Sequence, residues 1–289
     1  MYPSYEVLVV DGSPNSETAD LVRSRFSAVR YLRLPRGGLA VARNRGLLDA
    51  RGEIVAYTDD DVVVDPQWLS EHVGRLITDA KLACSTGLPF PLELATPAQL
   101  WFEESGGYVA GFEPRLLELA TRDRRSLLPW ATGKIGAGVN MAWRTSVLRE
   151  IGGNDVTLDR TAGEDLALFF DALCAGYRIA YEPRAIVFHE HRRSYQELRH
   201  QIYFHAVGIT AHLTRCLVKY PERIPDFVSR VPRGIAYGFR SSSIRNNRKS
   251  PDFPSELTWA ECPGILVGPF AYLRGRREAK QLSAFPPRG

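Results

Sequence analysis

The sequence predicts an α/β fold in which a mainly parallel sheet is flanked by helices. One observation behind this prediction is that short apolar runs alternate with longer segments of helical periodicity. Another is that the strands predicted at residues 6–10 and 54–58 are continuous apolar runs, which are typical of buried parallel strands. Both runs lead into aspartate, at Asp11 and Asp59, and ligands bind at the carboxyl ends of strands in such sheets. We therefore expect the functional site at this edge.

The other elements are predicted from a capping residue or proline at a helix start, glycine after a helix end, or a short apolar run. The predicted helices are 16–26 after Asn15 or Ser16, 40–50 before Gly52, one starting at Pro66, 165–175 before Gly176, and 194–219. The predicted strands are 29–34, 82–88, 136–143, 179–181 and 185–188. Residues 89–135, with a cluster at Arg122, Arg124 and Arg125, predict a long functional excursion outside the core.

Composition narrows the class of protein. Hydrophobic residues make up 44% of the 289 residues and charged residues 24%, which excludes a disordered chain. No apolar run approaches the roughly 18 residues of a membrane-spanning helix, and the first residues do not form a signal peptide. The cysteines are widely spaced and predict reduced thiols rather than a zinc site or disulfides: Cys84, Cys174, Cys216 and Cys262. We therefore expect a cytoplasmic protein.

The charge is distributed unevenly along the chain. Residues 1–183 carry 19 basic and 25 acidic residues, a net charge of −6, whereas residues 184–289 carry 18 and 8, a net charge of +10. We expect a catalytic domain at residues 1–193 and a basic, helical or irregular C-terminal extension at residues 194–289. The extension suits contact with an anionic membrane surface, and a solvated, partly packed tail is the alternative. No nucleic-acid-binding motif is present, so no nucleic acid partner is expected.

Three adjacent carboxylates, Asp59, Asp60 and Asp61, follow the strand at residues 54–58. Because like charges repel, holding them together requires a positive partner, and hard oxygen ligands suit Mg²⁺ or Mn²⁺. The alternative is a helix cap with spare acid, but Asp65 and Pro66 already supply that helix start. The triplet therefore predicts binding of a metal ion or of a substrate.

Two further clusters hold titratable groups. Glu164 and Asp165 begin a helix, where the helix dipole favours acids, and a carboxylate in a cleft can also act as a general base. His189 and His191 follow the strand at residues 185–188. We expect their side chains to point to opposite sides, so that at most one of these histidines joins a given metal site.

In order and spacing, several stretches resemble the family 2 glycosyltransferases with the GT-A fold. They span residues 5–193, about two thirds of the chain, and read YEVLVVDGSPN, GGLAVARNRGLLDARGEIVAYTDDDVVVDPQWL, GAGVNMAWRTSVLREIGG, GEDLALFFDALCAGYRIAYEP and VFHEHRRS. The resemblance implies a nucleotide-diphosphate sugar donor, a bound Mn²⁺ or Mg²⁺, and a saccharide or lipid-linked acceptor. It also implies a role in cell-envelope polysaccharide or glycolipid synthesis, at the inner face of the plasma membrane.

The resemblance also implies roles for individual residues. Donor-binding roles fall to Asp11 at the nucleobase, Arg43 near the base or diphosphate, Asp59 at the ribose or phosphate, and Asp60. Metal ligation falls to Asp61, Asp59 and His189, with His191 as the reserve ligand. Asp165 would be the catalytic base, Glu164 would lie beside the acceptor, and residues 136–140 would line the acceptor side. A base that activates the acceptor for direct attack implies inversion at the anomeric carbon.

The beginning of the chain departs from this family. Its members open with one further strand and helix, and Met1 stands where that unit should have ended. A start codon placed too late, a shortened chain, or a degenerate non-catalytic binding or scaffold subunit would each explain this, and the intact later motifs favour the first. A haloacid-dehalogenase phosphatase is set aside because Val9 stands where its nucleophile would be. A nucleotidyltransferase lacks its glycine-rich phosphate loop here.

Overall fold

The computed structural model describes residues 2–108, 111–119 and 126–280. It confirms the α/β class. The strands are β1 (Val7–Asp11), β2 (Val29–Arg33), β3 (Ile54–Tyr57), β4 (Val62–Val64), β5 (Leu82–Pro91), β6 (Arg115–Leu117), β7 (Met141–Arg144) and β8 (Arg178–His189). The helices are α1 (Glu17–Arg25), α2 (Leu39–Asp49), α3 (Trp68–Ile77), α4 (Pro97–Glu104), α5 (Thr145–Glu150), α6 (Glu164–Cys174), α7 (Tyr195–Lys219), α8 (Ile224–Phe239), α9 (Ser255–Trp259) and α10 (Glu261–Ala279). The predicted cluster of Arg122, Arg124 and Arg125 lies outside the described residues.

The sheet is mixed, which corrects the prediction of mainly parallel pairing. The larger sheet has the order β3-β7-β5-β8-β4, with β6 also on β8. Within it only β5 and β8 pair in parallel, and the other described pairings are antiparallel. The strands β1 and β2 form a separate two-stranded parallel sheet. An antiparallel strand covered on both faces shows the same continuous apolar run as a parallel one, so the local pattern did not reveal the direction.

Two strand boundaries also differ from the prediction. The strand expected at residues 136–143 begins only at Met141, and residues 136–140 lead into it as a loop and turn. The two short strands expected around Tyr181 and Ile186 are one strand, β8, with an irregular register against β5. At this irregularity Gly87 lies so close to β8 that a Cβ atom would stand 2.1 Å from the carbonyl oxygen of Ala185. Only glycine allows that approach.

Helices cover both faces of the larger sheet. On one face Leu76 of α3 packs against Leu82, Ala142 and Ala180. On the other face, α6 contributes to the main cluster of the core. The buried members of that cluster are Leu47, Tyr57, Ala83, Cys84, Leu117, Ile135, Met141, Trp143, Val147, Leu148, Leu168, Phe169, Ala172, Leu173 and Ile179. Neighbouring positions of β7, Ala142 and Trp143, therefore face opposite layers, as a strand requires.

The predicted C-terminal extension is helical in the described residues and packs on the rest of the chain. Helix α7 runs between α6 and α10, and α10 approaches it through Gly268, where a Cβ atom would lie 2.5 Å from the carbonyl oxygen of Val207. The buried Arg215 of α7 joins Asp171 of α6 at 2.6 Å and Asp155 at 2.7 Å. None of the described helices combines the length and the apolar character needed to cross a bilayer. The four cysteines are free thiols.

Candidate active site

Helix α2 places Arg43 at the centre of a buried cluster of acids. The guanidinium donates through Nη1 to Glu164 Oε1 at 2.7 Å and through Nη2 to Asp59 Oδ1 at 3.2 Å. Its side chain is only 5% exposed. The Tyr57 hydroxyl donates to the Arg43 carbonyl oxygen at 3.2 Å, so the strand that carries Asp59 and the helix that carries Arg43 are joined directly. Two predicted donor-binding residues and one predicted catalytic residue thus meet around one cation.

The pKa values in this cluster follow from burial and charge. Burial raises the pKa of Glu164, and the repulsion of Asp165 adds to this, while the charge of Arg43 opposes it. Burial would lower the pKa of Arg43, but the attraction of Glu164, Asp59 and Asp165 raises it above the ordinary value. The guanidinium therefore stays charged and compensates the carboxylates that surround it.

Asp165, the predicted base, is held at the start of α6. Its Oδ2 accepts the backbone N–H of Gly138 at 2.7 Å and its Oδ1 accepts that of Leu166 at 2.7 Å. The helix begins after Gly163, which must be glycine because its φ is +104° and because a Cβ atom there would lie 2.8 Å from the carbonyl oxygen of Gly208. The Asp165 side chain is half-buried, so its hydrogen bonds leave it at the edge of solvent. This placement is compatible with a base that must reach an acceptor hydroxyl.

A second, more open group of side chains lies where β4 pairs with the end of β8. Asp61 stands with Oδ1 3.7 Å from His189 Nε2 and with Oδ2 3.7 Å from Arg192 Nη2. His189 is 6% exposed, and burial lowers its pKa. The side chains of Asp61 and Arg192 remain partly in solvent, 28% and 52% exposed. These contacts are longer than hydrogen bonds and leave room between the groups.

His189 and His191 do not point to opposite sides, which corrects that expectation: side chains two residues apart in an extended chain share one face, and only adjacent ones alternate. Their Nδ1 atoms are 2.9 Å apart, and His191 Nε2 is 2.8 Å from Glu103 Oε1. Tyr108 lies against His189 with ring centroids 5.2 Å apart.

Tyr108 links the two groups of acids. Burial raises its pKa, and the charges of Asp59, Asp165 and Asp61 raise it further. These three carboxylates are among the predicted site residues. Because Asp59 and Asp61 are two residues apart, the acids around Arg43 and those beside His189 form one candidate site, which we call the cleft.

The donor atoms of Asp61 and His189 fit a divalent cation. Adjacent ligands about 2.1 Å from one octahedral ion stand about 3 Å apart, so the observed 3.7 Å requires only a small adjustment. A carboxylate oxygen with an imidazole nitrogen suits Mn²⁺. Within the described ranges, no three His, Cys, Asp or Glu side chains already converge as a complete metal site. The remaining coordination positions would have to be filled by donor phosphates or water.

The other predicted residues differ in burial and in their partners. Asp11 is buried, and it accepts from the Tyr31 hydroxyl at 2.6 Å and from Arg33 at 3.0 Å. Hydrogen bonds from Ser13 and Tyr31 lower its pKa to about 2. Asp60 is exposed. Among the predicted acceptor-side residues, Asn140 is fully buried.

Asn140 joins layers of the core instead of lining the cleft. Its Oδ1 accepts from His72 and from Trp68 at 2.8 Å, and its Nδ2 donates to the Ala185 carbonyl at 2.8 Å. Of the predicted stretch 136–140, it is Gly138 that meets the site, through its hydrogen bond to Asp165. Asn140 therefore has a structural role in the core.

Sequence reasoning missed three residues that shape the site. Glu103 and Tyr108 lie in the segment expected to be an excursion, and nothing in their local pattern distinguishes them from solvated residues. Asp159 accepts the backbone N–H groups of Gly38 at 2.5 Å and of Val41 at 2.9 Å, so it caps the helix that carries Arg43. These residues lie far from their partners in the chain, and only the complete fold brings them together. For Asp159 the only hint was a helix start without a capping side chain of its own.

Comparison with known proteins gives consistent results. Residues 1–151, just over half of the chain, match the family model described as glycosyl transferase family 2. The chain is 29% identical over 224 residues to pre-mycofactocin glycosyltransferase from Mycobacterium tuberculosis, covering 77% of this chain and 44% of that protein. It is 28% identical over 163 residues to succinoglycan biosynthesis protein ExoM from Rhizobium meliloti, covering 55% and 47% respectively. The chain thus spans about half the length of these curated relatives.

The fold has a counterpart among solved structures. A mannosyltransferase from Pyrobaculum calidifontis, solved in complex with GDP-Man and Mn²⁺, superposes with a TM-score of 0.53 at 17% identity. The match covers 98% of this chain and 72% of that one. At this identity the likeness concerns the fold, which is that of the GT-A glycosyltransferases.

Proposed function

We propose that this chain, which belongs to glycosyl transferase family 2, transfers a sugar from a nucleotide-diphosphate donor to an acceptor hydroxyl with inversion. The observation that carries the proposal is that Arg43 hydrogen-bonds both Glu164, next to Asp165, and Asp59, two residues before Asp61, so that the start of α6 and the aspartate triplet lie together. A base on one side and a pair of cation ligands on the other are what a direct displacement of a diphosphate requires. The donor and Mn²⁺ in the mannosyltransferase of the same fold support this assignment.

Asp165 would act on the acceptor. Its carboxylate is fixed by two backbone N–H groups, so it can accept the acceptor proton without moving. Glu164 would hold the orientation of Arg43 beside it. The acceptor oxygen would then attack the anomeric carbon on the face opposite the leaving diphosphate, which inverts that centre.

The other side of the cleft would receive the leaving group. Asp61 and His189, with Asp59 near the phosphates or ribose, would hold Mn²⁺ or Mg²⁺, which when bound neutralises charge on a diphosphate. Arg192 lies at this edge and can donate to phosphate oxygens. Asp11, and the exposed Asp60, would contact the nucleoside part of the donor.

Transfer assays with nucleotide sugars and Mn²⁺ test the proposal. We expect Asp165→Asn to lower the rate of sugar release or transfer by about 100- to 10,000-fold, because the base is lost. The matched control is Asp20→Asn, which changes an exposed acid in the first turn of α1. If the unmodified chain turns over no donor, or if Asp165→Asn is as active as the control, a non-catalytic binding or scaffold subunit becomes the better reading.

We also propose that the protein works in the cytoplasm at the inner face of the plasma membrane, on a saccharide or lipid-linked acceptor. Two helices near the C-terminus support this. On α8 one face exposes an apolar stripe of Ile224, Val228, Val231 and Ile235. On α10 Leu266 and Phe270 are each 72% exposed, and the helix ends in a run of arginines: Arg274, Arg276 and Arg277. Exposed apolar side chains flanked by arginine suit an anionic bilayer surface.

Sedimentation with vesicles tests this surface. We expect more binding to phosphatidylcholine vesicles that contain phosphatidylglycerol than to phosphatidylcholine alone, and weaker binding at high salt. Phe270→Ser should reduce the bound fraction. The control Ile77→Ser changes a side chain that is 70% exposed at the end of α3 and should leave binding unchanged. Equal binding to both vesicle types, or equal effects of the two variants, would argue for a solvated tail.

A further inference from the structure

Glu103, His191 and His189 form a hydrogen-bonded row, and the far ring nitrogen of His189 faces Asp61. The distances are 2.8 Å from Glu103 Oε1 to His191 Nε2, 2.9 Å between the two Nδ1 atoms, and 3.7 Å from His189 Nε2 to Asp61 Oδ1. Both rings are buried, with His191 2% and His189 6% exposed. Phe102 and Tyr108 pack edge-on against them. Little room is left for water to replace a link in this row.

The chemistry of the end group sets the direction of every link. An ionised carboxylate only accepts, so His191 must donate its Nε2 proton to Glu103. In a neutral imidazole the other nitrogen is then an acceptor, so His191 Nδ1 accepts. The facing Nδ1 of His189 must therefore donate. His189 Nε2 is left with its lone pair, and this is the nitrogen that faces Asp61.

The surrounding backbone fixes the position of the Glu103 carboxylate, which begins this row. Gly107 has φ +44°, and a Cβ atom there would lie 2.7 Å from Glu103 Oε2. Helix α4, which carries Glu103, starts with a capping box between Thr96 and Gln99. The Gln99 side chain also donates to the His191 carbonyl oxygen at 3.3 Å, so the backbone at His191 is tied to the same helix. Both ends of the Glu103–His191 link are thus fixed by α4.

We infer that Glu103 is a positioning residue that, through His191, holds His189 in the tautomer with its Nε2 lone pair directed at the cation site. This inference rests on the proposed function, since it gives the lone pair a divalent ion to meet. Histidine ligands of metal ions are commonly oriented by a carboxylate that accepts the proton of the other ring nitrogen. Here a second histidine lies between the carboxylate and the ligand.

The tautomer can be read without metal or donor. In protein labelled with ¹⁵N-histidine, two-bond proton–nitrogen correlations identify which ring nitrogen of each neutral histidine carries the proton. We expect His189 to carry it on Nδ1 and His191 on Nε2. The opposite assignment in the unmodified protein overturns the inference, whether or not the chain transfers sugar. Conversely, the expected tautomers in a chain without transferase activity would leave the row intact and count against the proposed reaction.

The variant Glu103→Gln tests the direction of control. An amide can either accept or donate, so we expect a mixture of both tautomers at His189 and a Mn²⁺ affinity, measured by electron paramagnetic resonance with Mn²⁺ alone, about 10- to 100-fold weaker. The control Glu104→Gln changes the next residue of α4, which accepts from Ser250 instead. If Glu103→Gln keeps one tautomer and the affinity of the control, Glu103 does not position His189. If that variant does not fold, the tautomers of the unmodified protein decide.

Discussion

The two sides of the cleft are built on different principles. Around Arg43 a buried guanidinium is in hydrogen-bond contact with the buried Glu164 and the half-buried Asp59; beside Asp61 the partly exposed Asp61 and Arg192 are 3.7 Å apart. We call these the Arg43 side and the Asp61 side. On the first side the guanidinium already binds two carboxylates, whereas the second has ligand atoms that a cation and a diphosphate would join. Changes on the Arg43 side should therefore act on stability, and changes on the Asp61 side on binding.

The largest effect is expected from Arg43→Met. Removing the guanidinium leaves Glu164 buried without its partner, and breaking a buried pair in this way costs about 3–5 kcal/mol. Urea denaturation should show this loss as a lower midpoint. The control Arg45→Met removes an exposed arginine from the same helix, which pairs with Asp49 in an i,i+4 contact, and should cost less than about 1 kcal/mol. Equal losses in the two variants would mean that the Arg43 side is not a compensated unit.

The next largest effect is a loss of stability at acidic pH. His72 of α3 and His212 of α7 are fully buried, and His72 Nε2 donates to Asn140. Burial lowers the pKa of His72 to about 4 and that of His212 to about 3, against about 6.5 in the unfolded chain. Below pH 6.5 the unfolded state binds protons that the native state does not, so the free energy of unfolding should fall by up to about 1.4 kcal/mol per pH unit for each histidine.

Urea denaturation between pH 7 and pH 5 measures this slope. His212→Gln should reduce it by about the share of one histidine, whereas His200→Gln, at an exposed position of α7, should leave it unchanged. The slope should be absent above pH 7, where these histidines are neutral in both states. If the free energy of unfolding does not change between pH 7 and pH 5, the assignment of His72 and His212 as neutral in the native state is wrong.

A smaller effect, on binding alone, is expected from Asp61→Asn. The amide loses the charge that attracts a cation, and we expect Mn²⁺ affinity to weaken by at least about tenfold, or about 1.4 kcal/mol. Because the side chain is partly exposed, the urea midpoint should move little. Glu190→Gln, which changes a neighbouring side chain that is 50% exposed, is the matched control. A large loss of stability in Asp61→Asn would place Asp61 in the same class as the Arg43 side.

The smallest effect is expected at the boundary of the Asp61 side, where the chain enters α7. Ser194 caps this helix through a capping box with Glu197, so Ser194→Ala should cost about 1 kcal/mol without changing Mn²⁺ affinity. Ser16 precedes α1 but makes no capping hydrogen bond to that helix, so Ser16→Ala should cost less. A change in Mn²⁺ affinity in Ser194→Ala would show that α7 and the Asp61 side are coupled more tightly than their contacts indicate.

The sequence predicts the parts of this molecule that local chemistry decides. Strands β1 and β3, the helix starts near Ser16 and Ser194, and the acids at the strand end all lie where their patterns placed them. Pairing direction was not predictable, because β7 is an apolar run that fits either orientation until the long segment before it is folded. The sequence predicts the ligand residues of the site, but it does not predict the residues that hold them in place. Glu103 joins His191 from 88 residues away, and no local rule carries such a contact.

The short segment around Thr157 restricts which substitutions this sequence can accept during evolution. A Cβ atom at Gly275 of α10 would lie 2.0 Å from the Thr157 carbonyl oxygen, and one at Gly38 would lie 2.4 Å from that of Asp159. A substitution at either glycine would displace the segment that caps α2, and Arg43 with it. Selection for catalytic activity should therefore also preserve Gly275 in the last helix. Where homologous chains keep Asp159, we expect positions 38 and 275 to remain glycine together, or to change together.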